Sequence, residues 1–184
     1  MKKLLAVLMF VLAFSCTQAA QINWGSGYTT TILASPSAGE ITGYTAYLCV
    51  GNTEDALAVS ESLANAGVWN SSSAIETKSL METTGGGYIE TVPTSEIPSL
   101  TATPTNFYVV LIDANQKYFM VSKIKTATPY ESFTIGQVPT IQWEYAEMDD
   151  LAGDAGWVLI GPEPTALALL ALGVAGVALR RRIR

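Results

Sequence analysis

Asn-Phe-Tyr-Val-Val-Leu-Ile-Asp at residues 106–113 and Lys-Tyr-Phe-Met-Val-Ser at residues 117–122 are two apolar runs separated by Ala-Asn-Gln. Both runs are rich in β-branched and aromatic residues, which fit the pleated surface of a sheet. Asp113 and Asn115 tolerate the backbone angles of a turn, so the two runs predict a β-hairpin. Residues 107–112 are apolar at every position, which predicts a central strand that is covered on both faces.

Further strands are predicted outside the hairpin, at residues 28–33, 43–50, 87–92 and 141–145, while the hairpin itself supplies residues 107–112 and 118–124. Loops are predicted at residues 69–73 and at the triple glycine, residues 85–87. The proline-rich interval 93–104 is expected to be an extended connector over the surface.

One helix is predicted over residues 54–65. Asn52 and Thr53 can cap it, Glu54 and Asp55 complement the helix dipole in the first turn, and Gly67 supplies a stop. Its apolar residues recur at helical spacing, at Ala56, Val59 and Leu63. Six or seven short strands with one helix predict a mainly β fold, a single sandwich- or barrel-like domain over residues 20–160.

The charge and composition of this body exclude several functions. Residues 21–161 contain fifteen acidic residues, four lysines and neither arginine nor histidine, which gives a net charge of −11. Such a surface repels polyphosphates, so nucleic-acid binding is not expected. Without histidine the chain has no Ser-His-Asp triad, no Cys-His pair and no histidine metal ligand, so neither an enzyme nor a cofactor is expected.

Acidic residues offer the remaining candidates for chemistry. The pairs Glu54–Asp55 and Asp149–Asp150 would suit a carboxylate-dependent hydrolase only if two acids faced one another across a cleft. A helix N-terminus and a solvated loop explain the two pairs better. Residues 148–154 combine acids with a glycine but lack the alternating spacing of a calcium loop, so a solvated acidic spacer is the preferred interpretation.

The aromatic residues leave a glycan-binding function open. Aromatic rings can stack on sugars, and β-rich cores use the same residues for packing. The candidates for stacking are Trp24, Tyr28, Tyr44, Tyr47, Trp69 and Trp143.

The N-terminus predicts export. Lys2 and Lys3 precede an apolar run at residues 4–14 and small residues that end at Ala19 and Ala20, which is the pattern of a secretory signal peptide over residues 1–19. Cleavage after Ala19 fits the small-residue rule better than cleavage after Ala20. The export translocon and signal peptidase are therefore expected partners.

The two cysteines are interpreted differently. Cys16 could instead be the acylated first residue of a lipoprotein, although the bulky Phe14 and Ala13 before it fit that signal poorly. If the ordinary cleavage occurs, Cys49 alone remains and cannot form an intrachain disulfide. Its apolar surroundings predict a buried small hydrophobe.

The C-terminus predicts a membrane helix within residues 161–184. Residues 165–179 are uncharged and would span about 22 Å as a helix, short of a hydrocarbon core of about 30 Å unless the bilayer thins or side chains snorkel. Arginine costs about 3 kcal/mol near the bilayer centre, so a cluster of arginines stays cytoplasmic and leaves the acidic body outside. That cluster comprises Arg180, Arg181, Arg182 and Arg184.

Pro162-Glu163-Pro164, the apolar span and the terminal arginines together resemble the PEP-CTERM sorting domain of bacterial exported proteins. The resemblance covers about the last 23 residues and says nothing about the body. It implies an exosortase-type membrane enzyme that processes the tail, a final place at the cell surface or in the extracellular matrix, and a link to exopolysaccharide or biofilm. An anchor that is never processed is the alternative for this segment.

We therefore expect an exported surface or matrix protein without catalysis. A surface-displayed glycan-binding module is the alternative, and a carboxylate-dependent hydrolase is the third hypothesis.

Overall fold

The computed structural model describes residues 20–26, 32–36, 41–83, 86–94, 97–130, 140–143, 147 and 156–161. The predicted signal peptide at residues 1–19 and the sorting tail from Pro162 onward lie outside the described residues. Helix α1 (Thr53–Ala66) and a 3-10 turn (Ser71–Ser73) accompany eleven strands in the described part. The strands are β1 (Asn23–Gly25), β2 (Thr45–Val50), β3 (Ala74–Ser79), β4 (Met81–Thr83), β5 (Gly86–Tyr88), β6 (Val92–Pro93), β7 (Thr105–Ile112), β8 (Tyr118–Val121), β9 (Lys125–Ala127), β10 (Thr140–Gln142) and β11 (Val158–Leu159).

The main sheet is antiparallel and has the order β11-β8-β7-β2-β3, with β9 also pairing with β7. The predicted hairpin is confirmed: β7 and β8 pair from Val110 opposite Val121 to Ile112 opposite Phe119. The central position of β7 is confirmed as well, because β2 pairs along one side of it and β8 and β9 along the other.

Strand β7 contributes to a separate core on each face of the main sheet. Phe107, Val109 and Leu111 are buried in the larger core, which also contains residues of the second sheet. Tyr108 and Val110 are buried on the opposite face, together with Ala56 and Leu63 of helix α1. This two-sided burial explains why β7 lacks the polar alternation of a half-exposed strand.

A second sheet of three strands closes the larger core. Strand β1 lies between β10, with which it is parallel, and β6, with which it is antiparallel. Trp24 of β1 and Ile141 of β10 enter the same core as Leu48 of the main sheet. In the described residues the sheets stay separate and none closes into a barrel, so a mainly β, layered fold is observed and the barrel alternative is wrong.

Helix α1 is confirmed, with both predicted ends. The Asn52 side chain accepts hydrogen bonds from the backbone N–H groups of Glu54 and Asp55, and the Asp55 carboxylate accepts one from the Asn52 N–H at 2.7 Å. Gly67 ends the helix at φ 66°, a left-handed conformation that glycine adopts without strain. Local capping therefore sets this helix, as its sequence predicted.

Three predicted segments differ from the structure. Residues 87–92 do not form one strand, because β5 ends at Tyr88 and β6 begins at Val92. The loop predicted for the triple glycine is wrong at Gly86 and Gly87, which lie in β5. A Cβ on Gly87 would approach Ile41 Cγ2 to 2.6 Å, so glycine serves there for close packing. The described part of the interval 93–104 is not a purely extended connector over the surface: residues 98–99 form a turn, and Ile97 and Leu100 are buried.

Strand β3 was not predicted, because its last four residues, 76–79, are all polar and show no alternation of apolar and polar positions. Glu76 and Lys78 lie opposite Leu48 and Ala46 of β2, and so share their face toward the larger core. There the Trp24 indole N–H donates to Glu76 at 2.7 Å, and the Lys78 ammonium lies 4.3 Å from the centre of the Trp24 ring. This edge strand is thereby joined to the second sheet.

Candidate functional site

The structure places the aromatic candidates for sugar stacking in different surroundings. Trp24, Tyr44 and Trp143 are fully buried in the larger core, so they serve packing. Tyr28 lies outside the described residues. Tyr47 and Trp69 are only half-buried and lie together on the helix side of the main sheet.

A cavity of about 280 Å³ lies beside Tyr47 and Trp69. Its floor is formed by Thr45 and Tyr47 of β2 and by Ile112, which pairs with Thr45 across the sheet. Helix α1 ends at Gly67 before it reaches this part of the sheet, and Trp69 follows two residues later. The hairpin loop between β7 and β8 borders the cavity from another side.

Tyr47 and Trp69 form an aromatic corner in this cavity. Their ring centroids are 4.9 Å apart and the ring planes are 89° apart, an edge-to-face arrangement that favours the pair. The indole N–H of Trp69 is buried and has no hydrogen-bond partner among the described residues. Buried donors are nearly always paired, so this N–H is an exception within the described part of the protein.

The hairpin loop is fixed by Asp113, whose side chain is buried. Asp113 Oδ1 accepts hydrogen bonds from the backbone N–H groups of Lys117 (2.7 Å) and Tyr118 (3.1 Å). Its second oxygen accepts from the Ser35 hydroxyl at 2.9 Å, and Ser35 is bonded in turn to the Tyr44 hydroxyl. The carboxylate therefore holds the cavity wall in one conformation.

The acidic candidates for a hydrolase do not converge in the described part of the chain. Glu54 and Asp55 lie in the first turn of helix α1, where Asp55 is part of the capping box. Asp149 and Asp150, with the calcium-loop candidate at residues 148–154, lie outside the described residues. Within the described ranges, no group of three or more acidic or cysteine side chains is placed to hold a metal ion.

Cys49 is buried and unpaired by disulfide, which confirms its predicted role as a small core residue. Burial raises the pKa of its thiol to about 12. A hydrogen bond with Tyr108 lowers the pKa, but this effect is smaller than that of burial. At neutral pH the thiol is therefore protonated and a poor nucleophile.

The last described residues dock on the body next to the cavity. Strand β11 pairs with β8, the Ile160 N–H donates to the Lys117 carbonyl, and the Gly161 N–H donates to the Leu63 carbonyl, the last two at 2.7 Å. Gly161 adopts φ 75°, and a Cβ on it would lie 3.5 Å from the Gly67 Cα. The chain is thus held against the end of helix α1 up to the residue that precedes Pro162.

Of the residues described, none belongs to a helix that is both long and apolar enough to cross a membrane. No curated protein and no solved structure matches the chain. Residues 162–182 match the family model of the PEP-CTERM protein-sorting motif, as the resemblance of the tail predicted. The motif implies an exported, cell-surface-directed protein with an exosortase-type enzyme as its partner. The C-terminal tail of this chain is a PEP-CTERM protein-sorting segment.

Proposed function

We propose that this protein is a non-catalytic component of the cell surface or extracellular matrix, released there after an exosortase-type enzyme processes its tail. The observation that carries the proposal is the sorting motif at residues 162–182, which begins directly after the docked residue Gly161. A link to exopolysaccharide or biofilm is part of the same proposal.

The junction between body and motif supports this role. The motif begins at residue 162, one peptide bond after the docked Gly161, so no linker sequence separates it from the body. Proline lacks a backbone N–H and disfavours the helical conformation in the residue before it, so the sequence Pro162-Glu163-Pro164 favours an extended segment that a processing enzyme can bind. Cleavage within or directly after Pro162-Glu163-Pro164 would therefore remove the tail and leave the docked contacts of β11 intact.

The N-terminal end of the body supports cleavage of the signal peptide after Ala19. The Ala20 N–H donates to the Ile97 carbonyl at 3.3 Å, and the Ile97 N–H donates to the Ala20 carbonyl at 3.0 Å. Ala20 is fully buried. Cleavage after Ala19 retains this residue in the body, whereas cleavage after Ala20 would remove it.

The test is intact-mass and terminal-peptide analysis of the protein purified from its host. We expect a start at Ala20 and the loss of residues 165–184 from the mature form. A variant with Pro162, Glu163 and Pro164 all replaced by alanine should keep the arginine tail, while Ala102→Val, an exposed loop control, should be processed normally. If every natural molecule keeps the tail, the processing proposal is wrong and the segment is only a membrane anchor. If the mature protein begins at an acylated Cys16, the protein is a lipoprotein.

A second candidate function, glycan binding, is favoured by one observation, the cavity at the Tyr47–Trp69 corner. Its test is binding of the purified protein to the polysaccharide of its own host, with Trp69→Ala for comparison. The hydrolase hypothesis gains nothing from Glu54 and Asp55, since the Asp55 carboxylate accepts a hydrogen bond from the Asn52 backbone within the helix cap.

A further inference from the structure

We propose that the cavity at the Tyr47–Trp69 corner binds a single neutral sugar ring, and that it selects against anionic sugars. The inference rests on the second candidate function and gives it a site, a ligand class and a size limit. It does not depend on tail processing.

The size of the cavity limits the ligand. Small-molecule pockets commonly occupy about 300 to 1,000 Å³, and the volume of about 280 Å³ lies just below that range. One pyranose ring with its substituents is therefore the largest saccharide unit that we expect inside. A longer glycan would enter by one residue, with its neighbours outside the cavity.

The groups on the cavity wall match a polyhydroxylated ring with apolar faces. Tyr47 and Trp69 supply aromatic surface against which the C–H groups of a pyranose can pack. The hydroxyls of Thr45 and Ser71 and the amide of Gln116 supply donors and acceptors.

The charge of the wall selects for neutral ligands. Asp113 is the one charged residue that lines the cavity among the described residues, and no lysine or arginine does. A uronate or phosphate would find no lysine or arginine on the described wall to pair with, and the net charge of −11 on the body would repel it. An organic cation is disfavoured too, because both Asp113 oxygens already accept hydrogen bonds from the protein.

The experiment is isothermal titration calorimetry on the full chain. A polyoxyethylene detergent is used, since its headgroup contains no sugar that could compete. The titrants are the methyl glycosides of glucose, mannose, galactose and N-acetylglucosamine as neutral probes, methyl glucuronoside as the anionic probe, and choline as the cationic probe. We expect saturable binding of at least one neutral glycoside, and binding of the glucuronoside at least about tenfold weaker than that of the neutral glucoside.

Matched variants connect binding with the cavity. Trp69→Ala should weaken binding about tenfold through loss of stacking, and Trp69→Phe should weaken it less because the ring is kept. Thr45→Val removes a wall hydroxyl with little change in shape and should also weaken binding. Trp157→Phe is the control, because Trp157 contacts Tyr44 and donates to Leu33 outside the cavity, and it should bind as the natural protein does.

Thermal unfolding of each variant shows whether it is folded. If Trp69→Ala does not fold, the binding measured for Thr45→Val and Trp69→Phe tests whether the cavity is the binding site. The proposal is overturned if no neutral glycoside binds, if choline or the glucuronoside binds more tightly than all of them, or if folded cavity variants bind like Trp157→Phe. Each of these results leaves the processing of the tail, measured separately by mass, unaffected.

Discussion

Cys49 lies on the helix side of β2, in contact with the core that Tyr108, Val110 and helix α1 share. Burial is the main cause of the raised pKa of its thiol, and burial is also the main cause of the raised pKa of Tyr108 beside it. The sequence predicted a buried cysteine from its apolar neighbours. The pairing with Tyr108 across β2 and β7 comes from strand register, which the sequence did not give.

At this scale we predict that Cys49 is protected from alkylation in the native protein. A pKa of about 12 against an ordinary value of 9.0 lowers the thiolate fraction at pH 8 about a thousandfold. Peptide mapping after iodoacetamide treatment should show native Cys49 labelled at least about a thousandfold more slowly than in guanidinium. Equal labelling rates in the two conditions would contradict the burial.

The same raised pKa gives the sign of a pH effect on stability. The folded state holds the Cys49 proton more tightly than the unfolded state, so this contribution is fully present below pH 9 and is lost as pH rises toward 12. Cys49→Ala removes this contribution. The difference in the free energy of unfolding between the natural protein and this variant, measured by chemical denaturation, should therefore shrink as the pH rises from 9 toward 12.

Helix α1 and the β7–β8 hairpin are the elements whose local sequence agrees with their final structure. Asn52 and Gly67 bound the helix as predicted, and Asp113 opens the turn of the hairpin. In the turn, Gln116 takes up a positive φ of 54°, a conformation that is uncommon for residues other than glycine. The Asp113 hydrogen bonds to Lys117 and Tyr118 hold the loop around it.

At the scale of the element we predict that Asn52→Ala lowers the free energy of unfolding by about 1 kcal/mol, because two N–H groups of the first turn lose their acceptor. Chemical denaturation followed by circular dichroism measures the change. Asn65→Ala, at an exposed position near the other end of the helix, is the matched control and should be neutral or slightly stabilising. Equal destabilisation by both variants would mean that the cap is not the cause.

The whole molecule joins the sorting segment to the body without a linker. Strand β11 belongs to the main sheet, and Gly161 is bonded to helix α1 one residue before the motif begins. Ile160 also lines the cavity beside Trp69, so the tail junction and the candidate sugar site share a wall.

At this scale we predict that Gly161→Val loosens the docked strand. A β-branched residue at φ 75° is strained by about 1–2 kcal/mol, which undocking relieves. Hydrogen exchange of the peptide covering residues 156–161 should become faster than in the natural protein. Ala102→Val, which places the same side chain at an exposed position, should leave that peptide unchanged. Unchanged exchange in Gly161→Val would show that the junction does not rely on this conformation.

Local sequence alone determined the helix, the central hairpin and the sorting motif, because each is encoded by adjacent residues. The helix is encoded by its caps, the hairpin by a polar turn between two apolar runs, and the motif by the succession of Pro-Glu-Pro, an apolar span and arginines. It did not determine β1, β3, β4, β9 or β11, which are short or polar and become strands only through partners distant in the chain.

Only the tertiary structure decided which aromatic residues fill the core and which remain available to a ligand. Trp24 and Trp69 are the same residue type, yet the parallel pairing of β1 with β10 encloses the first, while the end of helix α1 leaves the second beside a cavity. Burial depends on what lies across from a residue, and that is set by contacts over more than 100 positions of sequence, such as Asn23 opposite Thr140. The motif that directs the protein could be identified from its order of residues, whereas the candidate binding site required the fold.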